Sequence, residues 1–199
     1  MQRQEPTTRP TGLAIFLLIA GAIGFAAAFA LTLDKIALLQ DPNAQLSCNF
    51  SVLFGCGTNL NSPQGSVFGF PNPLLGLAGW SVVITIGMAL LAGARFRSWF
   101  WVGLNIGVAG AMALVIWLIQ QSIFVLDILC PWCMVTWAVT IPLFVVVTLH
   151  NLRSGHIPVP APVRRAAAAA YGWTPLITLG CYILVAVIAQ VQMDVLNRL

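Results

Sequence analysis

The stretch ILCPWCMVTWAVTIPLFVVVTL, residues 128–149, carries no charged side chain along 22 residues. At a rise of about 1.5 Å per residue it is long enough to cross a hydrocarbon core of about 30 Å as a helix. Working outward, four more runs share its character: Gly12 to Leu33, Leu74 to Ala92, Trp99 to Ile119, and Thr174 to Val195. The expected fold is therefore an all-α integral membrane protein with five transmembrane helices. Composition agrees, since 59% of the 199 residues are hydrophobic and 7% charged, with a mean hydropathy of +0.92. A water-soluble domain needs about a quarter charged residues, and a surface this apolar is not tolerated in water. No basic stripe with interleaved aromatics occurs, which excludes nucleic acid as the expected partner.

The net charge of +4 is informative through its placement. With five spans, the N-terminus and two alternate connections share one side, where Arg3, Arg9, Arg95, Arg97, Arg153, Arg164 and Arg165 fall; Lys35 and Arg198 fall on the other. The positive-inside rule then puts the N-terminus, with a short tail over residues 1–11, in the cytoplasm. Residues 12–199 read as one domain. The first run exceeds a signal-peptide core in length. Its Ala20, Gly24 and Ala28 would admit a neighbouring helix at close range.

The external segment from Asp34 to Pro73 is the longest connection, and Gly55, Gly57, Asn59, Asn61, Pro63 and Gly65 are expected to break any regular helix there. Long loops of this kind are usually functional or disordered. The connection from Asn151 to Trp173 reads as a proline-marked linker whose alanine run extends the last helix inward.

Four of five cysteines fall outside: Cys48 and Cys56 in the loop, Cys130 and Cys133 in Cys-Pro-Trp-Cys at a helix start. Backbone N–H groups and the positive end of the helix dipole stabilise a thiolate at such a position, and Pro131 suits the first turn. Cys130 is expected to be the more exposed sulfur and Cys133 to face one turn deeper. Asp127 either opposes thiolate formation or caps the helix. A static loop disulfide and a four-sulfur zinc site remain alternatives, the latter opposed by the eight-residue loop spacing. Cys181 reads as a small buried hydrophobe, and His150 and His156 lie at the opposite edge of the membrane.

Taken together, Cys48 and Cys56 eight apart, Ser62 six residues later, the segment Phe70-Pro-Asn-Pro-Leu-Leu-Gly76, and Cys130-Pro-Trp-Cys133 on the penultimate span resemble the bacterial, actinobacterial-type vitamin K epoxide reductase (VKOR) family. The resemblance runs from Leu33 to about Leu149. It implies a four-helix bundle around a quinone, with the fifth helix outside. It further implies that Cys48 takes electrons from a DsbA-like, thioredoxin-fold partner, that Cys56 attacks Cys130, and that Cys133 delivers the electrons to the quinone, with menaquinone favoured over ubiquinone. Ser62 matches a hydroxyl position tied to the loop relay, though it also suits a turn before Pro63. Asn72 matches an asparagine that hydrogen-bonds a quinone carbonyl, and equally suits a helix start with Pro73. Trp137 stands where relatives carry tyrosine, and Trp80 occupies an aromatic position on the second span; both also read as packing or interfacial residues.

The function expected is a cell-membrane oxidoreductase that supports disulfide formation outside the cytoplasm. DsbB-type enzymes perform equivalent chemistry but carry their cysteine pairs in the reverse order. A structural or transport subunit with a static disulfide is the other alternative, and the scarcity of ionisable groups in the spans argues against ion movement.

Overall fold

The computed structural model describes residues 11–49 and 53–198; most of the N-terminal tail, with Arg3 and Arg9, lies outside them. Among the described residues five helices are long and apolar enough to cross a membrane, and no strand forms beyond one isolated bridge. They are α1 (Thr11–Gln40), α3 (Asn72–Leu91), α4 (Ser98–Gln121), α5 (Pro131–Ser154) and α7 (Thr174–Met193). The short α2 (Gly57–Asn61) and a 3-10 turn (Pro63–Ser66) lie in the first connection, α6 (Ala161–Gly172) precedes α7, and α8 (Val195–Arg198) follows it.

Helix α1 runs past the expected boundary at Leu33 to Gln40. The extra residues Asp34-Lys-Ile-Ala-Leu-Leu-Gln are mostly good helix formers. The helix stops where Asp41 precedes Pro42, a position that disfavours α geometry, and the Asp41 carboxylate accepts from the Asn43 N–H (2.9 Å) in a local turn. Pro73 and Pro131 sit in the first turns of α3 and α5, where a missing N–H costs nothing. Helix α4 continues into one π-helical turn (Ser122–Leu126), and Asp127 ends it in the left-handed region at φ 50°.

Helix α5 is the hub, packed on α1, α4, α6 and α7, while α1 also carries α3 along its length. The small residues of α1 make that second contact close. A Cβ added at Gly24 would collide with the Trp80 ring, and one at Gly76 would stand 2.9 Å from Ala28. The side chains of α4 and α7 are largely exposed and apolar, Trp99, Ile106, Leu184 and Val191 among them, as lipid-facing helices require. The alanine run forms α6 instead of extending α7: Tyr171 packs on the core, and the chain turns at Trp173 before α7 begins. Arg153 stacks over the Tyr171 ring at 3.5 Å, tying α6 to α5.

The described part of the first connection, residues 41–49 and 53–71, is also more ordered than its glycines and prolines suggest. It folds as a cap over the ends of α1, α4 and α5, and its Leu46, Cys48, Cys56 and Leu60 form one buried cluster with Leu31, Leu38 and Cys130.

Candidate active site

The site begins at the N-terminus of α5, whose first backbone donors have no partner within the helix. Cys130 supplies one: it stands at the N-cap, and its Sγ accepts from the Cys133 N–H at 3.3 Å. The cap is thus Cys130 and not Asp127, whose carboxylate pairs with Arg198 of α8 at 2.8 Å. Just before the cysteine, Leu129 forms a parallel bridge with Phe54 of the loop. Leu129 N–H donates to the Leu53 carbonyl (2.9 Å) and Gly55 N–H donates to the Leu129 carbonyl (3.0 Å). Two backbone hydrogen bonds therefore hold Cys56, the next loop residue, beside Cys130, and the two Sγ atoms are 3.1 Å apart.

Cys56 is bonded to Cys48, with S–S 2.01 Å. Its N–H donates to the Asn49 side-chain oxygen at 3.0 Å, tying it to the residue that follows Cys48. On the far side of Cys48, an oxygen of Asp34 lies 3.3 Å from its Sγ. Asp34 is buried in the last two turns of α1, and the Ser47 hydroxyl reaches both of its oxygens, at 3.3 and 3.1 Å. Trp132, between the two cysteines of α5, donates its indole N–H to the Ser47 hydroxyl oxygen at 3.2 Å. One continuous series of atoms results: carboxylate, Cys48 sulfur, Cys56 sulfur, Cys130 sulfur.

The exposures invert the expectation for the inner pair. Cys130 is fully buried and Cys133 only partly. The cap is the cause, because Cys56 and its apolar neighbours lie directly over Cys130. Cys48 is 1% exposed, so the outer disulfide lies beneath the surface of the cap. As for metal, Asp34, Cys48 and Cys56 bring three candidate ligand atoms within 4.8 Å of one another. Two of those are sulfurs bonded to each other, and a zinc ligand must be a thiolate.

The other nominated residues divide. Ser62 caps the 3-10 turn: its hydroxyl donates to the Asn59 carbonyl (2.7 Å) and accepts from Gly65 N–H (3.2 Å). Asn72 braces the same cap, donating to the Gln64 carbonyl (2.7 Å) and accepting from Val67 N–H (3.0 Å). Trp80 is buried against Gly24 in the α1–α3 contact. Trp137 is buried elsewhere, in a cluster with Leu53, Leu129, Ile123 and Met193, against which Cys133 packs. Ser62 and Asn72 thus share the cap, while the two tryptophans lie in separate clusters. Cys181 is free and only half-buried, not fully enclosed as expected.

Sequence reasoning placed Asp34 only at the start of the external segment and missed Ser47, Asn49 and Trp132. The available signal was a lone acid at the rim of an apolar run, where a charge needs a reason to be.

Comparison with known families matches the description "Vitamin K epoxide reductase family" over residues 15–148, about two thirds of the chain and all of the site just described. The chain belongs to the vitamin K epoxide reductase family. VKOR membership makes it a multi-pass membrane oxidoreductase acting on disulfides, of a family linked to quinones and generally served by thioredoxin-like partners. The comparison with curated proteins found no match. The VKOR match ends near the C-terminus of α5, so α6 and α7 fall outside it.

Proposed function

We propose that this VKOR protein reoxidises a DsbA-like, thioredoxin-fold dithiol protein and passes the electrons through Cys48/Cys56 and then Cys130/Cys133 to a membrane quinone. The observation that carries the reading is the 3.1 Å separation of the Cys56 and Cys130 sulfurs, because disulfide exchange requires one sulfur to attack another directly. Exchange runs outer pair to inner pair. A partner thiolate bonds to Cys48 and frees Cys56; Cys56 attacks Cys130 of an inner disulfide; Cys133 is released as the terminal thiolate. The helix N-terminus favours negative charge on the inner pair.

A quinone supplies an oxidant that takes up two electrons and two protons. The residues available to it fit on chemical grounds. Cys133 stands one turn inside an apolar span and is not sealed over, and Trp137 follows on the same helical face. The cap adds amide donors suited to a carbonyl oxygen: the Asn59 side-chain NH₂ is buried without a partner, and Asn72 has used one amide hydrogen of two. Asn72 and Trp137 are therefore the proposed quinone contacts, with Ser62 shaping the cap and Trp80 walling the bundle. Menaquinone is favoured over ubiquinone on resemblance alone. By the arginine count, the N-terminus lies in the cytoplasm and the cap outside it, in a bacterial cell membrane.

The test is quinol formation, followed by absorbance, from lipid-reconstituted protein given quinone and a reduced thioredoxin-like protein. Cys133→Ser should reduce it to background even when the outer pair is reduced. Undiminished turnover would remove Cys133 from the end of the relay.

A further inference from the structure

We propose that the Asp34 carboxylate is the base that accepts the Cys48 thiol proton when the outer disulfide closes. The inference deepens the relay reading and rests on it in one respect, that a Cys56–Cys130 bond forms during turnover. Once the partner has left as a disulfide, Cys48 is a thiol and Cys56 is bonded to Cys130. To reset, the Cys48 sulfur must attack Cys56. The Cys48–Cys56 bond forms, the Cys56–Cys130 bond breaks, Cys130 leaves as a thiolate, and the proton of Cys48 goes to Asp34. No external oxidant or reductant enters, and the charge lost by the carboxylate reappears on Cys130.

The structure holds the atoms as this step would leave them. The new disulfide joins Cys48 and Cys56. The departed sulfur of Cys130 is still 3.1 Å from Cys56 and accepts the Cys133 N–H at 3.3 Å, a donor that stabilises negative charge on it. At the opposite end, the Asp34 oxygen is 3.3 Å from the Cys48 sulfur, the distance of a thiol hydrogen bond. In the closed disulfide that sulfur has no hydrogen to give, so the contact has its chemical meaning in the open state, where the thiol donates to the carboxylate.

The surroundings of Asp34 fit a proton carrier better than a structural ion pair. It is buried, and its sequence neighbour Lys35 reaches away to the Leu60 carbonyl (2.8 Å) and the Asn61 side chain (3.2 Å). Burying a carboxylate without a cation is expensive, and an asparagine could satisfy Ser47 without that cost. The Ser47 hydroxyl is aimed at the carboxylate because Trp132 occupies its oxygen as a donor. Ser47 itself is exposed, which gives the proton a route from the buried carboxylate to water.

The decisive measurement needs neither partner nor quinone. In Cys133→Ser protein, Cys48 becomes free only when Cys130 attacks Cys56, and by microscopic reversibility the same carboxylate returns the proton. With an alkylating reagent raised until labelling no longer depends on its concentration, peptide mass spectrometry gives the rate at which Cys48 is released. Adding Asp34→Asn should slow that rate about 100-fold, the low end of general acid–base contributions, and Asp34→Glu should recover most of it. Equal rates in all three proteins, at matched thermal unfolding, would overturn the proposal. So would a slow rate in both Asp34 variants, which would mean that any change at this position disturbs the cap. In the otherwise unmodified enzyme under turnover, acid-quenched Asp34→Asn should accumulate the Cys56–Cys130 bond; its absence would count against the step. A failure of quinol formation would sink the relay to quinone while leaving the release rate readable.

Discussion

At one end of the bundle Asp34, Ser47 and Trp132 surround sulfurs that can trade bonds; at the other, Asn151, His150, His156, Ser98 and Trp101 surround one another. The second group is as carefully placed as the first. The Asn151 amide is fully buried and donates to the Trp101 carbonyl (2.9 Å) and the Asn105 side chain (3.2 Å), clamping α5 to α4. His156 stacks on Trp101 with ring centres 5.6 Å apart and meets Ser98 at 3.3 Å, and burial pushes its imidazole below the ordinary histidine range, toward the neutral form. Each end thus buries polar atoms that a bilayer protein can ill spare. What differs is the atom they touch. At the cap the chain of contacts ends on bonds that exchange, whereas at the arginine-rich end it closes on backbone and ring. Burial and hydrogen bonding alone do not mark a working site; adjacency to a reactive atom does.

Cysteine substitution at the cap should give the largest effect. Cys56→Ser leaves Cys48 without a bonding partner and Cys130 without its neighbouring sulfur. Quinol formation from a protein dithiol should fall to the uncatalysed rate, because each exchange step needs a sulfur at that place. Loss of activity should come without loss of fold, since the span contacts among α1, α3, α4 and α5 do not involve Cys56. Residual turnover within a few-fold of the parent protein would mean that electrons bypass the loop and would erase the distinction between the two ends.

At the arginine-rich end the expectation reverses. Asn151→Ala removes one buried and one partly buried hydrogen bond and takes a donor from the Trp101 carbonyl and from the Asn105 oxygen. The cost should be about 1–3 kcal/mol of stability, seen as a lower unfolding temperature in detergent, while turnover per folded molecule stays unchanged. A variant with normal stability and impaired turnover would show that this end communicates with the sulfurs.

The same contrast explains what the sequence disclosed. The spans were legible because lipid demands roughly twenty apolar residues in a row, a constraint local to the chain. The close α1–α3 approach was legible at Gly24 and Ala28 for a similar reason, since small residues declare themselves one by one. The position of Cys130 at a helix start followed from its neighbour Pro131. Its burial did not, because the cover is a loop some 74 residues distant in the chain. The extension of α1 to Gln40 and the separate helix α6 were lost for a related reason: beyond the hydrocarbon, helix ends are set by packing on other elements and not by hydropathy. Asp34 escaped notice because a carboxylate weighs little in topology, and its importance lies in a sulfur that the fold brings to it from 14 residues away.

The smallest effect is expected where the two kinds of contact look most alike on paper. Arg198 reaches back from α8 to both Asp127 oxygens, at 3.0 and 2.8 Å, only three residues before Cys130, and so invites a role in the relay. Its side chain is 40% exposed and that of Asp127 54%, however, and ion pairs this open to solvent are worth about 0–1 kcal/mol. The partner of the Asp127 carboxylate is Arg198 and not a sulfur, and the helix cap, one of the two roles open to Asp127 from sequence, is supplied by Cys130. Arg198→Ala should therefore lower stability by less than about 1 kcal/mol and leave the Cys48 release rate and quinol formation unaltered. A several-fold change in either rate would mean that the left-handed turn at Asp127, which feeds the Leu129–Phe54 bridge, needs this ion pair to keep Cys130 beside Cys56. The reacting assembly would then extend through α8 to the C-terminal end of the chain.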